Sequence, residues 1–343
     1  MKAAVMHDIN NIAIEEVPTP SPQRGELLVR IKATRVCGTD ISMHRGHHPG
    51  AFSPRILGHE CAGEVAEVGE GVSGFKPGDR VGIDPLIYCG RCFFCRMGRN
   101  NLCENGGLMG RETNGSFAEY AIITPERAVK IPDTMAFDVA SYMDAVGSVY
   151  HSHCRSQLLR PGASMVVLGL GSIGMLHIQL AKLAGASPVI GVSRSQWKLD
   201  WALQFGADIA INAAEEDAVK ALLRLTPHHG ADVVIEAAGV PETIRQSYEM
   251  VRPGGEIIQY GIGAAPVDNL NVFLQYYKET TTYGVRALPH NDFSLSAKFL
   301  HDETVKIAPL ITHRFPLKQT AEGLELAERP SGRVLGVVIT SSA

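Results

Sequence analysis

The chain lacks the marks of a membrane, nucleic-acid-binding or secreted protein. No apolar run in its 343 residues approaches the ~20 needed to span a bilayer, and the opening MKAAVMHDINNIAIEE meets acidic residues before any long apolar core forms. No membrane segment or secretory leader is expected, and the cytoplasm is the expected location. Charge of one sign is also missing: 32 basic against 36 acidic residues give a net charge of −4, which leaves no electrostatic footprint for nucleic acid or an anionic surface. There is no low-complexity tract and no repeat of the solenoid kind. Small molecules are the partners this balance favours.

Cysteine is scarce, and its placement is informative. There are seven, and four of them, Cys89, Cys92, Cys95 and Cys103, crowd into YCGRCFFCRMGRNNLC. The spacing C-x2-C-x2-C-x7-C is ligand spacing for a closed tetrahedral zinc. An iron–sulfur cluster would also take four thiolates, but no proline follows the last cysteine and no second cluster motif appears. In a reducing compartment such cysteines read as metal ligands and not as disulfides. A closed site holds a lobe in shape, here about residues 86–106, and performs no chemistry. Cys61 and Cys154, left over, are expected to be small buried hydrophobes.

At 45% hydrophobic and 20% charged, a chain of this length exceeds what one core usually supports, so two domains are expected. Residues 1–148 carry short β-like runs (ELLVRIKA, CAGEVAEVG, DRVGID, AEYAII) broken by glycine and proline, the pattern of an antiparallel, barrel-like domain. The rhythm then changes. From about 164, apolar strands alternate with amphipathic helices, which assigns 149–285 to an α/β, doubly wound parallel sheet. After 286 the pattern loosens, and the strand-like end GRVLGVVIT is expected to return residues 286–343 to the first domain.

LGLGSIG sets Gly169, Gly171 and Gly174 directly after the run MVVL and before a helix, the context that a dinucleotide-binding G-x-G-x-x-G requires. The first glycine permits the tight turn, the second lets backbone approach a pyrophosphate, and the third lets helix pack on strand. Ser172 and Ile173 lie in the same turn, where the helix N-terminus favours an anion. About 20 residues on, an Asp or Glu normally binds the adenosine ribose, but this chain has Ser193, Arg194 and Lys198. No carboxylate repels a 2′-phosphate there and a guanidinium fork is available to bind it, so NADP is expected over NAD.

A second cluster lies upstream of the knot: Cys37 in VCGTD, then His59 and Glu60 in LGHE. A separation of 22 residues lets them converge only if the fold brings them together, and spacing alone leaves that open. VCGTD, GHECAGEV, GDRVG, the cysteine knot, GSFAEY and the glycine fingerprint occur in an order that resembles the zinc-dependent medium-chain dehydrogenases from end to end. Within them, PRILGHE, GVR near 284 and LITHRFPL near 310 are most similar to the polyol, sugar-acid and threonine dehydrogenase branch.

That resemblance implies a GroES-like antiparallel β-barrel beside a Rossmann domain, and two zinc ions per chain. It makes Cys37 and His59 ligands of a catalytic zinc and Glu60 a further or exchanging ligand. Asp144 occupies the remaining family ligand position, where many relatives have Glu or Cys, and is thereby a candidate ligand of the same zinc, its shorter carboxylate reaching the metal through exchange with Glu60 or a water. Asp40 would accept the free ring N–H of His59. A zinc with an open position lowers the pKa of bound water to about 7, and would ease proton loss from an alcohol in the same way. Thr39 resembles the family hydroxyl that takes that proton and relays it through the cofactor ribose. Five residues after Cys37 the family often has a His, but here stands Ser42, whose hydroxyl is no base near pH 7, so His44, His47 or water must carry the proton out. Arg286 is a candidate cofactor contact, or a ligand for a substrate carboxylate, phosphate or hydroxyl. His7, His151, His153, His177, His228, His229, His290, His301 and His313 read as structural, and Trp197 with Trp201 as a packing pair at i, i+4.

The expected activity is NADP-preferring oxidation, reversible, of a secondary alcohol in a small polyol, sugar or sugar acid to the ketone. An NAD-dependent L-threonine 3-dehydrogenase is the enzymatic alternative; Asp144 speaks for it, and IDPLIY, where such enzymes usually carry a His before the first knot cysteine, speaks against it. A non-catalytic protein on the same fold is the alternative of another class, opposed by the intact ligand set. A homodimer or homotetramer is what the resemblance implies.

Overall fold

A computed structural model describes residues 1–48, 54–226, 230–263 and 266–341, so His228 and His229 lie outside the described residues. The chain divides into two compact units, one of Met1–Gly147 with Leu288–Ala343 and one of Ser148–Ala287.

The first unit is built on the strand Leu27–Arg35. Leu27, Val29 and Ile31 point into a core shared with Cys61, Val65, Val81 and Ile83, while Arg30 faces solvent. Branched and bulky residues suit such a half-buried pleated surface. The strand lies inside a seven-stranded sheet of order Ala128–Lys130, Arg80–Ile83, Glu60–Val68, Leu27–Arg35, Gly336–Thr340 and Ile311–Pro316, with Tyr120–Ile123 also pairing to Leu27–Arg35. Pairing is antiparallel except between the last two strands, which run parallel because the helix Thr320–Glu328 crosses over between them. The C-terminal run is therefore a strand of the first unit. A three-stranded sheet centred on Lys2–Asp8 packs its own core, with Met6, Met43, Phe117 and Ile339.

One register in this unit matters for chemistry. Leu27–Arg35 and Glu60–Val68 pair so that Arg35 opposes Glu60 and Thr34 opposes Cys61. The residues just beyond the paired ends, Cys37 and His59, are thereby carried to one end of the sheet despite their separation in sequence.

The second unit is a six-stranded parallel sheet of order Ile209–Asn212, Val189–Ser193, Met165–Leu168, Ala231–Glu236, Val251–Gln259 and Thr281–Gly284. Helices cover both faces, so the central MVVL strand is buried at every residue, as parallel strands generally are. The strand order reverses beside Met165–Leu168, and ligands of such sheets bind outside the carboxyl ends of the strands at that point. Trp197 and Trp201 pack edge to face, 6.1 Å between centroids. Cys154 corrects an expectation: it is exposed, because it sits in the last turn of the helix Met143–Arg155, where Ser152 and His153 take the inward face.

Candidate active site and nucleotide turn

The strand Leu27–Arg35 passes through Val36 into Cys37, which adopts extended backbone (φ −99°, ψ 154°) and starts the helix Gly38–His44. Asp40, in its first turn and fully buried, fixes both sides of the cluster. Its Oδ2 accepts the Cys37 N–H at 2.9 Å, while Oδ1 accepts the Gly58 N–H at 3.0 Å and stands 3.1 Å from His59 Nδ1. Gly58 is required where it stands: its φ is +90°, and a Cβ would come within 2.9 Å of the Phe117 ring. With Nδ1 held by Asp40, Nε2 is the His59 nitrogen left for a metal. Donor atoms of Cys37, His59 and Glu60 all lie within 4.8 Å of one another. Sulfur, imidazole and carboxylate converging where His59 and Glu60 are buried and Cys37 is half-buried form a donor set that fits zinc.

Charges at the cluster are strongly coupled. Burial and then the Glu60 charge raise the Cys37 thiol. Burial disfavours a charged His59, but Asp40 and Cys37 outweigh it and hold the ring well above its ordinary value. Asp144, on the helix Met143–Arg155, is pushed up to about 8 by burial and then by Glu60. Its carboxylate nevertheless falls outside the 4.8 Å donor cluster.

Thr39 Oγ1 lies 3.8 Å from Cys37 Sγ. Ser42 and His44 follow on the same helix, both half-buried, and His47 is exposed. Burial, then the Arg45 charge, lowers His44, and its buried Nδ1 has no hydrogen-bond partner among the described residues. Two contacts of this unit carry no mark in the sequence. His290 places Nδ1 2.8 Å from the fully buried Asp84 Oδ2. Arg35 is buried and ion-paired to Glu60, and the alternation Val29, Ile31, Ala33 was the signal that pointed it inward.

In the cysteine knot the four sulfurs lie within 4.8 Å of one another. Backbone N–H groups aim at them: Cys92 N–H to Cys89 Sγ at 3.4 Å and Cys89 N–H to Cys103 Sγ at 3.3 Å. Donation from Arg91 and Cys92 pulls the Cys89 thiol down to about 6, whereas burial, then Cys92 and Cys103, pushes Cys95 up to about 12. Four mutually facing sulfurs, supported by N–H donors, fit a closed zinc site.

In the second unit Gly169 has φ +95° and abuts Ala238, which a Cβ would meet at 2.8 Å. At Gly174 a Cβ would stand 2.1 Å from the Gly169 carbonyl oxygen, so helix and strand can approach only with glycine there. Nothing lies within 4 Å of a Cβ at Gly171. That open space lies beside the N-terminus of the helix Ser172–Leu183, an end that favours an anion, with Ser172 and Ile173 in the first turn. Glu236, missed from sequence, shapes the neighbouring loop: Oε1 accepts the Ala238 and Gly239 N–H groups at 3.0 and 2.9 Å and the Thr243 hydroxyl at 2.7 Å. Ser193 ends its strand and accepts the Ser195 N–H at 3.1 Å, Arg194 is exposed, and Lys198 lies 5.5 Å from the Trp197 ring centroid with its pKa lowered by burial. Arg286 is exposed just after the edge strand.

Among the described residues no helix is long and apolar enough to cross a membrane. Residues 23–133 match the alcohol dehydrogenase GroES-like domain, and residues 172–302 match the zinc-binding dehydrogenase family. The chain is 32% identical to sorbitol dehydrogenase of Bacillus subtilis over 99% of its length and 97% of that protein's. It is 34% identical to L-threonine 3-dehydrogenase of Pyrococcus furiosus over 88% of this chain and 87% of the other. Among solved structures, a protein described as a zinc-binding dehydrogenase from Sinorhizobium meliloti, bound to NADP, superposes with a TM-score of 0.92 at 32% identity, covering 99% of this chain and 98% of that one.

Proposed function

Because the chain belongs to the zinc-dependent medium-chain dehydrogenases, in their polyol- and threonine-dehydrogenase-like branch, we propose that it oxidises a secondary alcohol of a small polyol, sugar or sugar acid to the ketone, reversibly and with NADP preferred over NAD. The observation that carries the reading is the convergence of half-buried Cys37 with buried His59 and Glu60, their donor atoms within 4.8 Å of one another.

The reading assigns one zinc to Cys37, His59 and Glu60 and a second, structural one to the four knot cysteines. Bound there, the first supplies Lewis acidity that brings proton loss from an alcohol toward neutral pH, while a bound nicotinamide supplies the hydride acceptor. The remaining work falls to the chain. Asp40 orients His59 and the Cys37 backbone. Thr39 takes the alcohol's proton. Ser42 cannot pass it on as a base near pH 7, so the reading gives that step to His44, kept neutral by burial with Nδ1 available, or to His47 or water. Asp144 acts from outside the donor cluster, through Glu60 or a water. Gly169, Gly171 and Gly174 hold the pyrophosphate, with Ser172 and Ile173.

Preference for NADP rests on Ser193, Arg194 and Lys198. Each charge-assisted bond to a 2′-phosphate contributes roughly 1.5–3 kcal/mol, so two favour NADP about 100-fold or more. Homo-oligomerisation is supported by Val272, Phe273, Tyr276 and Tyr277, which leave an apolar and aromatic strip exposed. A cytoplasmic location is supported by free cysteines arranged as metal donors.

A second reading, NAD-dependent oxidation of L-threonine, is favoured by Asp144 and by the 34% identity to such an enzyme. A screen of polyols, aldonates, sugars and threonine with both cofactors, followed by nicotinamide absorbance, decides between them. Polyol or sugar turnover with NADP supports the first reading, and a higher kcat/KM for threonine with NAD replaces it. Arg194→Ala should raise the KM for NADP and leave that for NAD nearly unchanged; in the unmutated enzyme a kcat/KM for NAD at or above that for NADP would overturn the preference.

A further inference from the structure

The inward-facing series of the strand Leu27–Arg35 ends in a charge. Arg35 is 5% exposed, and its Nη1 donates to Glu60 Oε2. The guanidinium also lies over the ring of Tyr142, with Cζ 4.8 Å from the centroid. Tyr142 is fully buried, and it occupies that place because residue 336 is glycine: a Cβ there would stand 1.9 Å from the Tyr142 hydroxyl oxygen. Gly336 begins the strand that pairs with Leu27–Arg35 on the side away from Glu60. The two neighbouring strands thus build a seat for one guanidinium, whose fork faces Glu60 and whose plane rests on an aromatic ring.

Glu60 belongs at the same time to the donor cluster with Cys37 and His59. One buried carboxylate therefore stands between a fixed guanidinium and a metal position, and what it gives to one it withholds from the other. We propose that Arg35 is a positioning residue which competes with the catalytic metal for Glu60 and so keeps a coordination position open for the alcohol. The inference rests on the reading of Cys37, His59 and Glu60 as a metal site. The chemistry runs in a definite direction. Removing one partner of a buried ion pair leaves the other uncompensated, and the carboxylate turns to whatever cation remains. Without Arg35 that cation is the metal, and Glu60 becomes a standing ligand. Lysine at position 35 keeps the charge but loses the fork and the stacked plane, so it holds Glu60 only in part.

The test uses the full chain with zinc in the knot and cobalt(II) at the catalytic cluster, whose visible band is strong in four-coordination and weak in five-coordination. Arg35→Met should weaken the band, slow release of the cluster metal to an excess of chelator by about 10-fold, the low end of the range over which a ligand's partners change metal affinity though here with the opposite sign, and raise the KM for the alcohol. Arg35→Lys should fall between, and Arg35→Met combined with Glu60→Gln should restore the strong band. A merely structural role has the opposite sign, since a loosened site loses metal faster. An unchanged band with unchanged or faster release overturns the inference. If Arg35→Met does not fold, Arg35→Lys decides on the same two readouts. Metal content separates the two levels: an unmutated chain that takes up metal only in the knot removes the reading of the cluster itself, whereas two metals per chain with indifferent Arg35 variants remove only the role of Arg35.

Discussion

His153 and His177 should make the protein acid-sensitive by an amount that can be worked out beforehand. His153 Nε2 lies 2.9 Å from His177 Nδ1, and His177 meets the Tyr260 ring edge-on at 4.8 Å between centroids. Burial lowers His153 to about 3, and burial together with the neighbouring His153 lowers His177 well below its ordinary value. Both are therefore neutral in the folded chain, while each imidazole of the unfolded chain takes up a proton near pH 6.5. The folded pKa values are depressed, so the stability from this pair is complete above pH 6.5 and is lost as pH falls below it toward the folded values. Between pH 7.5 and 5.5 each histidine removes about 1.4 kcal/mol, and the pair about 2.7 kcal/mol. His153→Gln combined with His177→Gln keeps a neutral hydrogen bond at every pH and removes the linkage. Thermal unfolding of both proteins at the two pH values is the assay, because groups elsewhere titrate alike and cancel in the difference. The variant should lose less on acidification by about 2.7 kcal/mol, or about 5 °C in Tm. Parallel losses in the two proteins would refute the reasoning.

The glycine turn gives a pair of substitutions with opposite signatures. Gly171→Val fills the open space and should abolish cofactor binding with little change in Tm, whereas Gly174→Ala meets the Gly169 carbonyl oxygen at 2.1 Å and should lower Tm first; calorimetry with cofactor titration checks both. Thr39→Val should lower kcat by about 10²–10⁴, the usual range for losing a proton-transfer partner, and Ser42→Ala should barely matter. Equal small effects on steady-state turnover would place the relay elsewhere. Cys95→Ser should lower Tm and release one zinc, read by thermal unfolding and metal analysis.

Much of this architecture is legible in the chain because it is local. The knot cysteines lie close together in sequence, and the glycine turn follows directly on the MVVL strand, so spacing and period speak for themselves. What converges from a distance is not legible from spacing. Cys37 and His59 meet because of the register that sets Arg35 opposite Glu60, and a pairing register leaves no mark within either strand. His290 and Asp84 are 206 residues apart, and neither carries a motif. Arg35 lay within reach of the alternation argument, but Arg30 and Lys32 in the same strand disguise it as one more outward charge. Cys154 turned outward because base rates describe residue types, while a helix end decides by its own geometry.

The most direct measurement is zinc content and alcohol-dependent nicotinamide reduction, side by side, in the unmutated chain and in Cys37→Ser. Two separate donor clusters among the described residues should hold two zinc ions per unmutated chain. Cys37→Ser should keep about one, remain folded and lose turnover, since the knot is untouched and only the catalytic cluster is broken. A single zinc in the unmutated chain, or a variant that turns over alcohol undiminished, would contradict the assignment of catalysis to Cys37, His59 and Glu60.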